Sequence, residues 1–348
     1  MIRRTARGWA WFIALVVLVG CTSSQPTAVA GAAKPITMRV GYFPNITHSQ
    51  ALIGLARGDF QKELGPDVVI DAKAFNAGPS AIEALFAGQL DLTYIGPNPA
   101  INGYVKSNGQ ALRIVAGATS GGAAFVVRPA AHIKGPADLA GKRLASPQLG
   151  NTQDVALRAY LAAQGLQVAE KGGNVQVIPT DNPQILDLFR QGQIDGAWVP
   201  EPWASRLIVE GGGELFLDER DLWPNGDFVT AHIIVSTQFL HEHPELVKAW
   251  LRAHVAVTQW EQENPEEAKQ LVNQEIEKLT GKALAPAVID SAWQRLRVTY
   301  DPISSSLIQS AASAYAAGFL KQKPDLSGIY DLKLLNEVLV EQGLEPVN

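Results

Sequence analysis

The amino-acid sequence predicts an α/β protein of two lobes, each a mainly parallel sheet with helices on both faces, and a ligand cleft between them. Three observations carry that expectation. Apolar β-type runs alternate with helix-period segments along most of the chain, as in parallel sheets covered by helices. The part expected to fold, from about residue 36 to the end of the 348-residue chain, is longer than one hydrophobic core usually serves. And one unit occurs twice without a gap: Pro79 to Asp91 followed by Leu92-Thr93-Tyr94-Ile95, and Pro183 to Asp195 followed by Gly196-Ala197-Trp198-Val199, at a constant offset of 104 residues.

Each copy reads as helix, tight turn and strand. Proline at a first helical position loses nothing by lacking an N–H. Ile82, Leu85 and Phe86, like Ile185, Leu186 and Phe189, keep helical spacing. Gly88 and Gly192 stand where a residue of positive φ ends a helix. A short apolar strand follows, then a proline-rich break: Gly96-Pro97-Asn98-Pro99 in one copy, Pro200-Glu201-Pro202-Trp203 in the other.

At the start of the chain, Arg3, Arg4 and Arg7 precede an apolar run from Trp9 to Gly20, which is short for a membrane span. The run ends in Leu18-Val19-Gly20-Cys21, the pattern of a lipobox, and Cys21 is the only cysteine. Residues 1–20 are therefore expected to be a lipoprotein signal peptide. Lipid on Cys21 would anchor an exported chain to a membrane surface without spanning it. Residues 21–35, rich in Ser, Thr, Ala, Gly and Pro, read as a flexible tether. Residues 36–124 and 235–348 are expected to form one lobe and 125–234 the other, with crossovers near 123–127 and 230–235.

Within that body, strands are expected over 38–42, 68–74, 111–118, 123–128, 143–146, 175–178, 214–217 and 231–236, besides the two in the repeat. Helices are expected over 49–57, 153–164, 243–263, 265–280, 286–296, 304–318 and 332–343, with a helical turn over 133–139. Net charge is −5 and no basic block occurs, so nucleic acid is not an expected partner. The body has no cysteine for a disulfide or thiol chemistry. No Ser-His-Asp order, phosphate loop or spaced carboxylate pair has supporting context, so neither catalysis nor a cofactor is expected. His241-Glu242-His243 opens a surface helix and is not expected to hold a metal.

In open parallel sheets ligands bind beyond the carboxyl ends of the strands. The polar loop tips there are Asn45, Thr47 and His48; Gly96 and Asn98; Thr119 and Ser120; Gly150, Asn151 and Thr152; and Glu201 with Trp203. Three helix starts face the same way, after His48, after Gly78 and after Gly150-Asn151-Thr152, and free N–H groups at helix starts favour anions. One helix dipole contributes about 2 kcal/mol at best, whereas micromolar affinity needs about 8 kcal/mol. Hydroxyl and amide hydrogen bonds and exclusion of water on lobe closure must supply the rest. Thr119, Ser120, Asn98 and Asn151 are placed to donate, although the same residue types also cap helices and turns. No arginine stands at a predicted loop tip. Glu201 either holds the amino group of a zwitterion or accepts N–H bonds within its own loop. Trp203 is placed to wall the pocket.

Several motifs resemble one known family: Arg39-Val40-Gly41-Tyr42-Phe43-Pro44, Ala87-Gly88-Gln89-Leu90-Asp91, Leu149-Gly150-Asn151-Thr152, Val199-Pro200-Glu201-Pro202-Trp203-Ala204, Phe239-Leu240-His241-Glu242-His243-Pro244-Glu245-Leu246-Val247 and Asn264-Pro265-Glu266-Glu267-Ala268. In order and spacing they resemble the solute-binding proteins of nitrate/sulfonate/taurine-type ABC importers, over about residues 38–320. The resemblance implies a two-lobed periplasmic-binding-protein fold of the two-crossover class. It implies delivery of a captured small solute to an ABC permease and its ATPase; with the lipobox at Cys21, a lipid-anchored, periplasmic or cell-surface monomer is expected. The solute implied is anionic or zwitterionic, an aliphatic sulfonate or taurine first, with nitrate, bicarbonate or a thiamine-precursor heterocycle as alternatives. Enzymes on this fold, such as the thiamine-pyrimidine synthases, carry a cysteine-rich motif that is missing here. A lipid-tethered sensor is not separated from a transport component by sequence.

Overall fold

The computed structural model describes residues 34–348; the expected signal peptide, the lipobox at Cys21 and most of the tether lie outside the described residues. In chain order the elements are β1 (Ile36–Tyr42), a 3-10 turn (Ile46–His48), α1 (Ser49–Arg57), α2 (Asp59–Leu64), β2 (Val68–Ala74), α3 (Gly78–Phe86), β3 (Leu92–Ile95), α4 (Pro97–Lys106), β4 (Leu112–Gly121) and β5 (Ala123–Val127). Then come β6 (Arg143–Pro147), α5 (Thr152–Ala163), β7 (Gln176–Thr180), α6 (Asn182–Arg190), β8 (Gly196–Pro200), α7 (Trp203–Val209), β9 (Glu214–Asp218) and β10 (Val229–Ser236). The chain ends with α8 (Thr237–Glu242), α9 (Pro244–Glu263), α10 (Pro265–Thr280), α11 (Pro286–Trp293), β11 (Leu296–Val298), α12 (Ser304–Ala317) and α13 (Lys333–Glu341).

Two sheets result, ordered β11-β4-β10-β3-β1-β2 and β7-β6-β8-β5-β9. Both are mixed. The repeated part is parallel in each: β1 pairs with β2 and β3, and β6 with β7 and β8. The strands that flank the passages between sheets, β4, β5, β9 and β10, add antiparallel. Helices cover both faces of both sheets. Leu52, Ile53, Phe60, Trp250 and Val272 fill one side of the first sheet; Ile82, Leu85, Ile101 and Leu307 fill the other. Ile185, Phe189 and Leu207 cover one side of the second sheet and Leu157, Leu161 and Trp198 the other.

The repeat extends further than its sequence match. Val40 pairs with Leu92 as Leu144 pairs with Gly196, at the same offset. The Arg39 N–H donates to Asp91 Oδ2 at 2.7 Å, and the Arg143 N–H to Asp195 Oδ2 at 2.8 Å. Each guanidinium also caps the glycine turn, Arg39 on the Gly88 carbonyl and Arg143 on the Gly192 carbonyl. Gly88 and Gly192 have φ of 67° and 70°, as the turn requires.

Three differences from the sequence-based expectation have physical causes. The proline-rich breaks begin helices, because Pro97 occupies the first turn of α4 and Pro202 immediately precedes α7. The segment expected to be helical over 286–296 ends at Trp293 and pairs as β11 with β4. The passages between sheets also fall elsewhere. Ala123 already pairs with Pro200 in the second sheet, and β10 pairs from Val229 onward with β4 of the first. The chain therefore crosses at Gly121-Gly122, whose φ values of 74° and 77° suit glycine, and again between Asp218 and Val229.

Candidate functional site

A small cavity, about 20 Å³ in volume, lies between the carboxyl ends of the two sheets. Phe43, Asn45, Thr47 and His48 from the β1–α1 loop line it, with Asn76 and Ala77 before α3, Gly96 before α4 and Thr230 on β10. The second half supplies Asn151, Thr152 and Gln153 at the start of α5, Asn182 at the start of α6 and Pro200 after β8. All except Asn76 are buried. The repeat relates the two walls: Thr47 and Asn151, His48 and Thr152, and Gly96 and Pro200 are each 104 residues apart. Five helices, α1, α3, α4, α5 and α6, begin at the cavity, so their free N–H groups and dipoles converge on one small volume.

No residue that lines the cavity carries an ionised side chain. Burial pushes His48 down to about 3, so the imidazole is neutral at physiological pH. Its Nδ1 accepts the Phe43 N–H at 3.2 Å, and its ring stacks on Phe43 with centroids 4.4 Å apart. Two buried oxygens at the wall, Thr152 Oγ1 and Asn182 Oδ1, have no protein partner. Such groups are costly to leave unpaired, and a ligand or water is what would satisfy them. Asp154, fully buried, fixes the loop before α5 by accepting from Ser146 Oγ at 2.7 Å and the Gly150 N–H at 2.8 Å.

The two halves touch above the cavity. Trp203 Nε1 donates to Asn45 Oδ1 at 3.0 Å, and Asn76 Nδ2 donates to Asp181 Oδ2 at 3.3 Å. Gly96 faces Thr152 so closely that a Cβ there would lie 2.3 Å from Thr152 Oγ1. Only glycine lets these two helix starts approach.

Of the residues expected at the site, Asn45, Thr47, His48, Gly96, Asn151 and Thr152 come together around the cavity. The others are engaged elsewhere. Asn98 Nδ2 donates to the Ser310 carbonyl at 3.2 Å, which ties α4 to α12. Thr119 Oγ1 donates to the Thr47 carbonyl at 2.7 Å and so props the β1–α1 loop from behind. Ser120 Oγ reaches Asp227 Oδ1 at 3.4 Å. Gly150 borders a separate surface hollow with Phe86 and Leu149. Trp203 walls nothing; it latches Asn45. Glu201 is wholly buried, accepts from the Ser205 N–H and Oγ, both at 3.0 Å, and pairs with Arg295 Nη1 at 3.1 Å. Burial pushes its carboxyl up while Ser205 and Arg295 pull it down. It therefore props its loop and does not reach the cavity.

Asn76, Gln153, Asn182 and Thr230 were not expected at the site. The offset could have found Asn182, which stands 104 residues after Gly78, a helix start already assigned to the cleft. Thr230 gives no comparable signal.

Comparison with known proteins places this geometry. The profile of the NMT1-like family matches residues 31–275. The chain belongs to the NMT1-like family. Among relatives of this NMT1-like protein, a putative binding protein of Brucella abortus is 31% identical over 261 residues, covering 72% of this chain and 77% of that one. The taurine-binding periplasmic protein of Escherichia coli is 27% identical, covering 68% of this chain and 70% of its own. Among solved structures, the alkanesulfonate-binding protein of Xanthomonas axonopodis pv. citri bound to MOPS superposes with a TM-score of 0.72 at 21% identity, over 86% of this chain and 99% of that one. The periplasmic nitrate-binding protein of Synechocystis PCC 6803 gives 0.70 at 18% identity, over 88% and 89%. The NMT1-like chain thus has the periplasmic-binding-protein fold.

Proposed function

We propose that the protein is the extracytoplasmic solute-binding component of an ABC importer, and that it captures a small oxyanion-bearing solute, an aliphatic sulfonate first. The observation that carries this reading is the uncharged cavity on which five helix N-termini converge, with the Thr152 hydroxyl unpartnered in its wall. A sulfonate offers three acceptor oxygens and one permanent negative charge, which suits helix dipoles and neutral donors. The relatives named for taurine and alkanesulfonate binding support the same reading. With Glu201 held by Arg295, no carboxylate lines the cavity to pair with an ammonium, so an alkyl sulfonate fits better than a zwitterion. The chain acts as a monomer whose two lobes close on the solute, and delivers it to a permease driven by an ATPase.

Calorimetry against a series of alkyl sulfonates tests the reading. Thr152→Ala is expected to weaken every member by about 1–3 kcal/mol, the loss of one hydrogen bond to a charged group. Unchanged affinities would show that the hydroxyl does not meet the ligand.

Anchoring by lipid on Cys21 completes the proposal. Cys21→Ser is expected to release the protein from membranes or leave its precursor uncleaved. Membrane fractionation and intact mass decide it, and an unaltered mass and distribution would refute the anchor.

A further inference from the structure

A buried acid stands behind the cavity. α1 begins there: its first residue, Ser49, follows directly on the lining residue His48. Against that first turn lies Glu261 of α9, almost wholly buried, with neither carboxyl oxygen in a hydrogen bond among the described residues. Ser49 is the neighbour whose hydroxyl acts on it, and Ser49 Oγ and Gln50 Oε1 are themselves buried without partners. Tyr94 joins Glu261 to the cavity by a second route. Its ring centroid is 6.1 Å from that of His48, and a charge on Glu261 acts on its phenol. No ionised group intervenes. Burial keeps His48 neutral, and likewise His254, whose Nδ1 lies 3.1 Å from Tyr94 Oη and whose Nε2 lies 2.9 Å from the Gly117 carbonyl. The charged groups on the elements packed here are paired with one another or face water. Arg57 of α1 pairs with Asp59, Lys269 of α10 with Glu266 and Asp290, and Arg297 of β11 with Asp227. Glu263 and Glu267 are exposed.

We infer that Glu261 makes solute and proton bind together: the cleft takes an oxyanion with a neutral acid behind it, and an ionised Glu261 opposes the same oxyanion across the first turn of α1. The inference rests on the oxyanion reading given under Proposed function. Its physical basis is that two negative charges would share one helix start. The N–H groups and the dipole of α1 favour either charge alone. Both at once repel, and over a short, poorly hydrated span they repel far more than in water. Burial pushes Glu261 up to about 8, so the acid is neutral in the empty protein near pH 7. A bound oxyanion raises it further. By linkage, the proton raises the affinity for the oxyanion by the same factor. Affinity is therefore full below about pH 8, where Glu261 is neutral in the empty and the filled protein. It falls as pH rises through that value and levels off once Glu261 is ionised in both.

Methanesulfonate tests this, because it stays a monoanion at every pH used and any pH dependence then belongs to the protein. Calorimetry on the whole chain in detergent is expected to show binding at least about fivefold weaker at about pH 9.5 than at about pH 6.5, with circular dichroism unchanged. Repeated at about pH 8.5 in two buffers of different ionisation enthalpy, it is expected to show a fraction of one proton taken up with each solute. Glu261→Gln keeps the size of the side chain and cannot ionise. This variant is expected to bind as the parent does at about pH 6.5, to hold that affinity at about pH 9.5, and to take up no proton. Glu261→Met is expected to do the same should Glu261→Gln not fold. An equal affinity of the parent at both pH values would overturn the inference and leave the oxyanion reading intact. So would a fall in affinity or a proton uptake that persists in the variants, since the titrating group then lies elsewhere. A fall matched by lost circular dichroism also counts against it, being unfolding. A parent protein that binds no methanesulfonate at either pH overturns the oxyanion reading, and this inference with it.

Discussion

At about pH 9, Glu261→Gln is expected to be more stable than the parent chain by several kcal/mol. Glu261 lies near the C-terminal end of α9, 1% exposed, and neither carboxyl oxygen has a protein partner. Burial pushes it up to about 8, against a smaller opposing effect of the neighbouring Ser49 hydroxyl. A charge on Glu261 also acts on the buried Tyr94 of β3, raising it further. The folded chain therefore holds a proton on Glu261 that the unfolded chain releases at its ordinary, lower pKa. Below that lower value both states are protonated and the full contribution is present. Between it and about pH 8 stability falls as pH rises, by on the order of 5 kcal/mol in all. Glutamine cannot ionise, so the variant should lose this slope. Urea unfolding of both proteins at about pH 5 and 9 measures it. Parallel curves would mean that the carboxyl is hydrated and titrates normally.

Arg295→Met is expected to cost about 3–5 kcal/mol near neutral pH, because it strands a wholly buried Glu201. The guanidinium serves Glu201, Ser205 and Ser291 at once. It also sits where the chain crosses between sheets: the Gly122 N–H donates to the Arg295 carbonyl, and the Gly122 carbonyl accepts the Glu201 N–H, both at 2.8 Å. Without the arginine, burial pushes the carboxyl up with less opposition. The deficit should be largest where Glu201 would be ionised and shrink on acidification, as the carboxyl takes a proton. The double variant Glu201→Gln/Arg295→Met should recover much of the loss, since removing both partners leaves no stranded charge. An Arg295→Met protein that loses under about 1 kcal/mol, as an exposed ion pair would, contradicts this account.

These residues also show what sequence could and could not reveal. Alternation of strand and helix, and the proline–helix–glycine–strand unit, are local patterns, so both sheets and most of their helices were legible. Extended beyond the matched segments, the same offset relates helix starts on the two walls, Gly78 to Asn182 among them. What stayed hidden depends on partners far along the chain. Glu201 and Arg295 are 94 residues apart, and Asn45 and Trp203 are 158 apart. No local pattern says which of two plausible uses a glutamate at a loop tip will have. The helices after Pro97 and Pro202 were missed because proline ends one element and begins another with the same geometry. Asn98, Thr119 and Ser120 have the chemistry of ligand donors, and the fold spends that chemistry on its own backbone and loops.

A cavity walled only by neutral groups also has consequences for speed. Helix dipoles act within about one turn of the terminus. They project little field into the solvent, and the chain's net charge of −5 offers an approaching anion no attraction. Encounter with the proposed oxyanion is then governed by diffusion against a weak overall repulsion, which added salt screens. On the proposed reading, discrimination among anions resides almost wholly in how long each one stays.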